Sequence, residues 1–278
     1  YFGSTVLMPY GRADLFIIKY NAGGDLIRAK SFGSSEDDQL NGMSSDASGN
    51  LYITGGFKNN IFFDNINLIN SNSSYQNFIV KFNSDVNAVW GKNAVGITSC
   101  IGTDVVSDEA GNTATTGFFS GSISFDNVTL TSHGSNDIIL IKHDPYGKLV
   151  WAKSYGGNEL DYGLKVDMDS EKNIVLTGSY ELTLDFCNSV SILSRGGADI
   201  FISRFDSNGV IRWAKEGGGP DIGGFTSDES PSDIIVDSEG NSFLTGYFVS
   251  RIIFENDTLS TVSGGSDVYI IKYDKEGN

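Results

Sequence analysis

The stretch Asp137–Gly178 reads DIILIKHDPYGKLVWAKSYGGNELDYGLKVDMDSEKNIVLTG, and most of it recurs three more times along the chain with small changes. Lys19, Lys81, Lys142, Arg204 and Lys272 each follow a short apolar run, at spacings of 62, 61, 62 and 68 residues. Thr-Gly pairs ending at Gly55, Gly117, Gly178 and Gly246 keep the same step. Arg28, Trp90, Trp151 and Trp213 share one position, nine residues after the basic residue. Self-similarity at such a period marks an array of one supersecondary unit.

Each period holds two hairpins. DLFIIKYNAGGDLIRAK (residues 14–30) is an apolar run, a Gly-rich turn and a second run, which is a hairpin pattern. KVDMDSEKNIVLTGS (165–179) is the other, and its Asp-centred turn suits a residue that can bond its own backbone and a Gly or Asn that tolerates positive φ. Four strands follow: A (about 41–46), B (50–57), C (14–20 or 76–83) and D (25–31 or 87–93). No 3.6-residue periodicity competes with them. An alternating segment between B and C, such as SISFDNVTLTS (122–132), reads as a bent extension of B that leads into C.

The fold class is therefore all-β. A four-stranded antiparallel unit of about 60 residues cannot bury both faces alone and must stack on its neighbours. The arrangement that closes such stacking is a β-propeller, with residues 1–34 a partial blade, 35–96, 97–157 and 158–219 blades, and 220–278 a partial blade. A β-solenoid or a chain of sandwiches is the competing arrangement, but solenoid coils repeat at shorter spacing and sandwiches need more strands per unit. Strand A is expected to line the axis and D to lie outermost. Residues 1–23 and 254–278 are the same part of the repeat, so the chain reads as a section of a ring of five or more blades, with further chain expected at both ends.

The units have the form G-x-x-x-D-x-x-G-N-x-x-x-T-G-x-F, then F-x-x-x-x-L, then D-x-F-I-x-K-Y-D-x-x-G-x-x-x-W-A-K. This pattern resembles the secreted bacterial β-propeller repeat known as SBBP and covers essentially the whole chain. The resemblance implies a propeller, a bacterial source and a secreted or cell-surface location. Departures are Arg28 in place of Trp, Lys172 in place of Gly in the third A–B turn, a longer loop from Gly217 to Ser232, and two cysteines.

Nineteen basic against 35 acidic residues give a net charge of −16, which argues against nucleic acid or anionic lipid as partner. No apolar run approaches the roughly 20 residues that span a bilayer. Cys100 takes the slot of Asp38, Asp161 and Glu229, and Cys187 the slot of Asp64, Asp126 and Glu255. Two such strays make no disulfide framework, and both are expected to be free. His143 stands where Tyr20, Phe82, Phe205 and Tyr273 stand and reads as a packing substitute, while His133 lies in a B–C loop without an evident partner.

The meander puts the short A–B and C–D turns on one face and the long B–C and D–A connections on the other, where local function is expected. Candidate binding residues on that long-loop face are Asp38, Asp161, Asp228 and Glu229, with Asp221 and Phe225 from the expanded loop. No cofactor is expected; calcium is the one ion these acids could take, though they come from different blades and lack the spacing of a single-loop site. The A–B turn acids Asp46, Asp108, Asp169 and Asp237 read as turn residues. Trp90, Trp151 and Trp213 read as packing between blades, with sugar stacking as the alternative. The basic residues of strand C are expected to lie along the sheet, facing, in four copies, the Asp five residues earlier. No nucleophile elbow, paired metal-binding histidines, phosphate loop or dinucleotide fingerprint is present. The sequence thus points to a non-catalytic scaffold or recognition module for a protein or glycan; the alternative is a polysaccharide hydrolase or lyase with Asp161 and Glu229 as acid and base, about 5–10 Å apart.

Overall fold

The computed structural model describes residues 5–187, 190–220, 229–262 and 265–278. Among these there is no helix, and the strands form antiparallel meanders at the expected positions. Unit II pairs, in order, Gln39–Ser45, Leu51–Phe57, Gln76–Phe82 and Ala88–Asn93 as strands A to D. Unit III repeats this with Cys100–Ser107, Thr113–Phe119, Asp137–His143 and Leu149–Tyr155. Unit IV does so with Asp161–Met168, Ile174–Asp185, Ser191–Phe205 and Ile211–Gly218. Unit I holds C and D, Leu15–Tyr20 and Leu26–Phe32. Unit V holds A to C, Ser230–Val236, Ser242–Val249 and Ser266–Tyr273.

The Thr-Gly landmark has a local cause. Strand A carries a bulge in units II to V, between Leu40 and Gly42, Gly102 and Asp104, Gly163 and Lys165, and Pro231 and Asp233. The bulged strand bends towards B. A Cβ at Gly55, Gly117, Gly178 or Gly246 would overlap the facing strand A carbonyl, so only glycine fits. The preceding threonine turns its hydroxyl to the next strand; Thr54 and Thr177 Oγ1 donate to the carbonyls of Phe78 and Phe201 at 2.6 Å. In units II to IV strands B and C are buried on both faces, as the unbroken run Ile138–Ile141 shows with no residue above 1% exposed, because sheets stack on each side of them, whereas strand C of units I and V leaves Phe16, Val268 and Ile270 exposed on one face.

The segment between B and C differs from the expected extension. In units II, III and V it is a separate hairpin, Ile61–Phe63 with Ile66–Leu68, Ser122–Phe125 with Val128–Thr131, and Arg251–Phe254 with Asp257–Ser260. Only in unit IV do B and C themselves lengthen into it. Each separate hairpin bonds to the end of strand D of the preceding unit, through the pairs Gly33 with Phe62, Ile123 with Gly96, and Gly217 with Phe254. Its repeated phenylalanine then fills the seam. Phe63 meets Phe32 of unit I at 5.3 Å and Phe82 at 6.1 Å, and Phe186 meets Tyr155 of unit III at 5.7 Å and Phe205 at 6.1 Å between ring centroids. Burial of such rings dominates seam energetics.

Candidate functional site

The junctions between units are where the recurring side chains converge. On the short-turn face, Trp90, Trp151 and Trp213 each send the indole N–H to a carbonyl in the C–D turn of the next unit: Pro145 at 3.1 Å, Ser207 at 3.2 Å and Lys275 at 3.0 Å. Each indole lies on the positive-φ glycine of that turn, Gly147, Gly209 or Gly277, so closely that a Cβ there would come within 2.7–3.1 Å of the ring. The tryptophans are more than half buried and pack between units, as expected. Where Arg28 replaces Trp, the facing turn carries Val86 in place of glycine, also at positive φ. The two departures are one change.

Lys19, Lys142 and Arg204 are not bonded to the Asp five residues earlier. Lys19, Lys81 and Lys142 reach forward to the same turn of the next unit and donate to the carbonyls of Ser84 (2.6 Å), Pro145 (3.2 Å) and Ser207 (3.0 Å). Arg204 instead bonds Asp169 and the Gly240 carbonyl, bridging two A–B turns. The A–B acids are turn residues: Asp46, Asp108, Asp169 and Asp237 each accept from the backbone and side-chain amides of the asparagine four residues on. Hydrogen bonding to the ionised form holds Asp46 and Asp108 below the ordinary value despite some burial. Lys172, in the glycine slot of the third turn, takes positive φ and reaches Asp108 at 3.4 Å.

Strands A approach one another across the junctions. Ser44 and Ser107 share a hydroxyl bond at 2.9 Å, Thr103 Oγ1 donates to Gly163 O at 2.6 Å, and Asp104 and Asp167 accept from the backbone N–H of Val166 and Val236 in the next strand A. Burial raises both of these acids.

On the long-loop face, the candidate acids are not on an open rim. Asp38 is 5% exposed, Asp161 0% and Glu229 4%, each inside a junction. Asp38 accepts from the backbone N–H of Ser34 at 2.6 Å, and Asp161 from that of Gly157 at 2.6 Å. Each therefore caps the D–A connection four residues back. Burial, only partly offset by these bonds, pushes Asp38 up to about 6 and Asp161 up to about 7. Asp161 opens strand A of unit IV and Glu229 immediately precedes strand A of unit V, at two different junctions. Asp221, Phe225 and Asp228 lie outside the described residues. Cys100 and Cys187 are free thiols; Cys100 is fully buried and pushed up to about 12.

The acid at the Cys187 slot has a partner that the sequence did not suggest. Asp64 meets Lys30 at 2.8 Å, Asp126 meets Lys92 at 3.8 Å, and Glu255 meets Lys215, each lysine lying on strand D of the preceding unit. Opposite Cys187 the equivalent Lys153 donates to the Gly209 carbonyl at 2.6 Å instead. The signal was available as a lysine two residues after the tryptophan position. His143 is a packing substitute: it is 3% exposed, and burial pushes it down to about 4, so the ring is neutral. His133 does have a partner, with Nδ1 at 3.2 Å from Asp137 Oδ2.

Two equivalent cavities open on the long-loop face. One, of about 620 Å³, lies between units I and II among Tyr10, Ser34, Asn59, Asn60, Phe62 and Ile69. Tyr10, Phe62 and Ile69 are 65%, 52% and 61% exposed at its rim. The other, of about 570 Å³, lies between units III and IV and includes His133, Gly156, Gly157, Asp185 and Cys187. Tyr10 and His133 hold the same repeat position. The sequence pattern missed Phe62 and Ile69 because each sits next to a residue that explained the repeat better, Phe63 and Leu68.

No family model matches the chain. An uncharacterized WD repeat-containing protein, L264 of Acanthamoeba polyphaga mimivirus, is 25% identical over 154 residues, 50% of this chain and 10% of that protein. The regulatory protein FlaEY of Caulobacter vibrioides is 25% identical over 148 residues, 52% of this chain and 15% of that protein. The matched segments are thus a small part of either relative. No helix among the described residues is long and apolar enough to cross a membrane.

Proposed function

We propose that the chain is a section of a β-propeller with five or more blades, of the SBBP type, and serves as a non-catalytic scaffold that binds a protein partner on its long-loop face. The antiparallel A-to-D meanders and the approach of consecutive strands A support the propeller reading. Likeness to a WD repeat-containing protein supports a repeat-based scaffold. The observation that carries the binding site is the groove between units I and II, where Tyr10, Phe62 and Ile69 stand exposed around amide side chains. Exposed aromatic and aliphatic groups around a concave, partly polar site are what a protein contact uses for affinity. A secreted or cell-surface bacterial setting completes the proposal and rests on the repeat pattern alone.

The test is selection of peptides from a displayed library against the immobilised chain, followed by rebinding to a Tyr10→Ser/Phe62→Asp variant, with a glycan array probed in parallel. Both residues are exposed, so the variant should keep the melting temperature of the parent. Selected peptides that lose at least tenfold in affinity for the variant would support the reading. Peptides indifferent to the variant, or binding confined to glycans, would overturn it.

A further inference from the structure

Two carboxyl groups are enclosed together at the junction of units III and IV. Asp137 opens strand C of unit III and Asp161 opens strand A of unit IV, and both are 0% exposed. The chain brings them together directly, since the N–H of Asp161 donates to the carbonyl of Asn136 at 2.9 Å. One oxygen of each is satisfied: Asp161 Oδ2 by Gly157 N at 2.6 Å, and Asp137 Oδ2 by His133 N at 3.1 Å with Nδ1 of the same ring at 3.2 Å. The other two oxygens, Asp137 Oδ1 and Asp161 Oδ1, have no hydrogen-bond partner. Tyr180, paired with Asp161 across the sheet, also has a buried hydroxyl without a partner. Orphaned buried carboxylate oxygens are costly, and the cost rises when the groups carry like charge.

Among the described residues no lysine or arginine pairs with either carboxyl, and His133, beside Asp137, is a countercharge only when protonated. The charged groups that act most on Asp161 are Asp137 and Glu181, both acidic. A cavity at the same junction is lined by His133, Gly156, Gly157 and Asp185 among others, and among the described residues no lysine or arginine lines it. Gly156 is required there, because a Cβ would overlap the Asp137 carboxylate. The neighbouring junction makes the comparison internal to the chain. Between units II and III the same three positions are Gln76, Val95 and Cys100, and Gln76 Nε2 donates to Thr98 O at 2.8 Å. Both acids are present at one seam and both are absent at the other, together with the glycine, which treats the two carboxyls as one device.

We infer that the junction of units III and IV is a binding site for a divalent cation, with Asp137 and Asp161 each contributing the oxygen that now lacks a partner. The donor set is oxygen only and anionic, which suits calcium above softer metals. Binding would neutralise the two like charges that burial otherwise forces together, and would tie strand C of one unit to strand A of the next. Asp14 and Asp38 form the equivalent pair between units I and II, where Asp14 Oδ1 is likewise without a partner.

The experiment uses the full chain freed of metal with a chelator at pH 7.5, with calcium chloride as titrant in calorimetry and terbium as a luminescent probe excited through tyrosine. The expected result is saturable binding, a rise in melting temperature with calcium, and loss of one binding equivalent in the Asp137→Gln/Asp161→Cys variant. That variant copies the sequence of the neighbouring seam, which this chain already folds, and near-ultraviolet dichroism checks that it does so here. Asp161→Asn should weaken the same equivalent at least tenfold, while Glu109→Gln, an exposed acid, should change nothing. An absence of calcium binding up to 10 mM, or the same stoichiometry in the parent and the double variant, would overturn the proposal. Uptake of a proton by the parent with no response to calcium would overturn it equally, and would assign the pair to a shared proton.

Discussion

The seam between units II and III and the seam between units III and IV share their frame and differ in their filling. Both have a tryptophan N–H on the next C–D turn and a lysine Nζ on the same carbonyl. In the first seam the interior is Ala94, Phe125 and neutral His143, with Gln76 and Cys100 at the long-loop end. In the second it is Tyr155, Phe186 and Phe205, with Asp137 and Asp161. The smaller, uncharged set stands where the larger, charged set stands one unit later. The difference teaches that the tryptophan, glycine and lysine contacts hold the spacing of the units, whereas volume and charge inside each seam change as sets.

Removing an aromatic ring is the strongest way to break that comparison. Phe186→Ala should cost about 4 kcal/mol in chemical denaturation and Phe125→Ala about 3 kcal/mol, because the rings of Tyr155, Phe201 and Phe205 close on Phe186 and would line a larger cavity. Equal losses would mean that the seams are energetically alike. Next in size is a pH effect on metal-free protein. The folded-state value of Asp161 is raised by burial to about 7, so the native state holds a proton that the unfolded chain releases near 3.8. Its contribution is fully present below about 4 and is lost as the pH rises through about 7, on the order of 2–4 kcal/mol. Asp161→Asn should flatten that decline, and denaturation of both proteins between pH 4 and 8 measures it. At the other seam Cys100, pushed up to about 12, has no such effect in this range.

Gly156→Ala should cost roughly 2 kcal/mol by pressing a methyl into Asp137, whereas Val95→Ala, at the same repeat position and 66% exposed, should stay within about 0.5 kcal/mol. The smallest effect is a gain. Cys187 has φ 69° and stands where the other seams have an acid facing a strand D lysine. Cys187→Asp should restore that pair with Lys153 and stabilise by about 0.5 kcal/mol, lost in high salt.

What the repeats made readable before any coordinates were the period, the four strands, the Asp-centred turns, the tryptophans between units and the two free cysteines. These depend on side-chain alternation and turn chemistry within about ten residues, which a linear pattern carries intact. The hairpin between B and C was readable as two alternating runs, but not as a separate element, because its bonds run to strand D of the preceding unit. Lys19 and Lys142 were assigned to the acids five residues before them, yet their ammonium groups bond carbonyls 65 residues on, in the next turn, as that of Lys81 does 64 residues on. Asp38, Asp161 and Glu229 looked like exposed loop acids, since an acidic residue beside glycines in a connection is ordinarily solvated. Only the stacking of one sheet on the next removes water from them, and stacking is decided by the twist and bulge of whole strands, to which no single repeat bears witness.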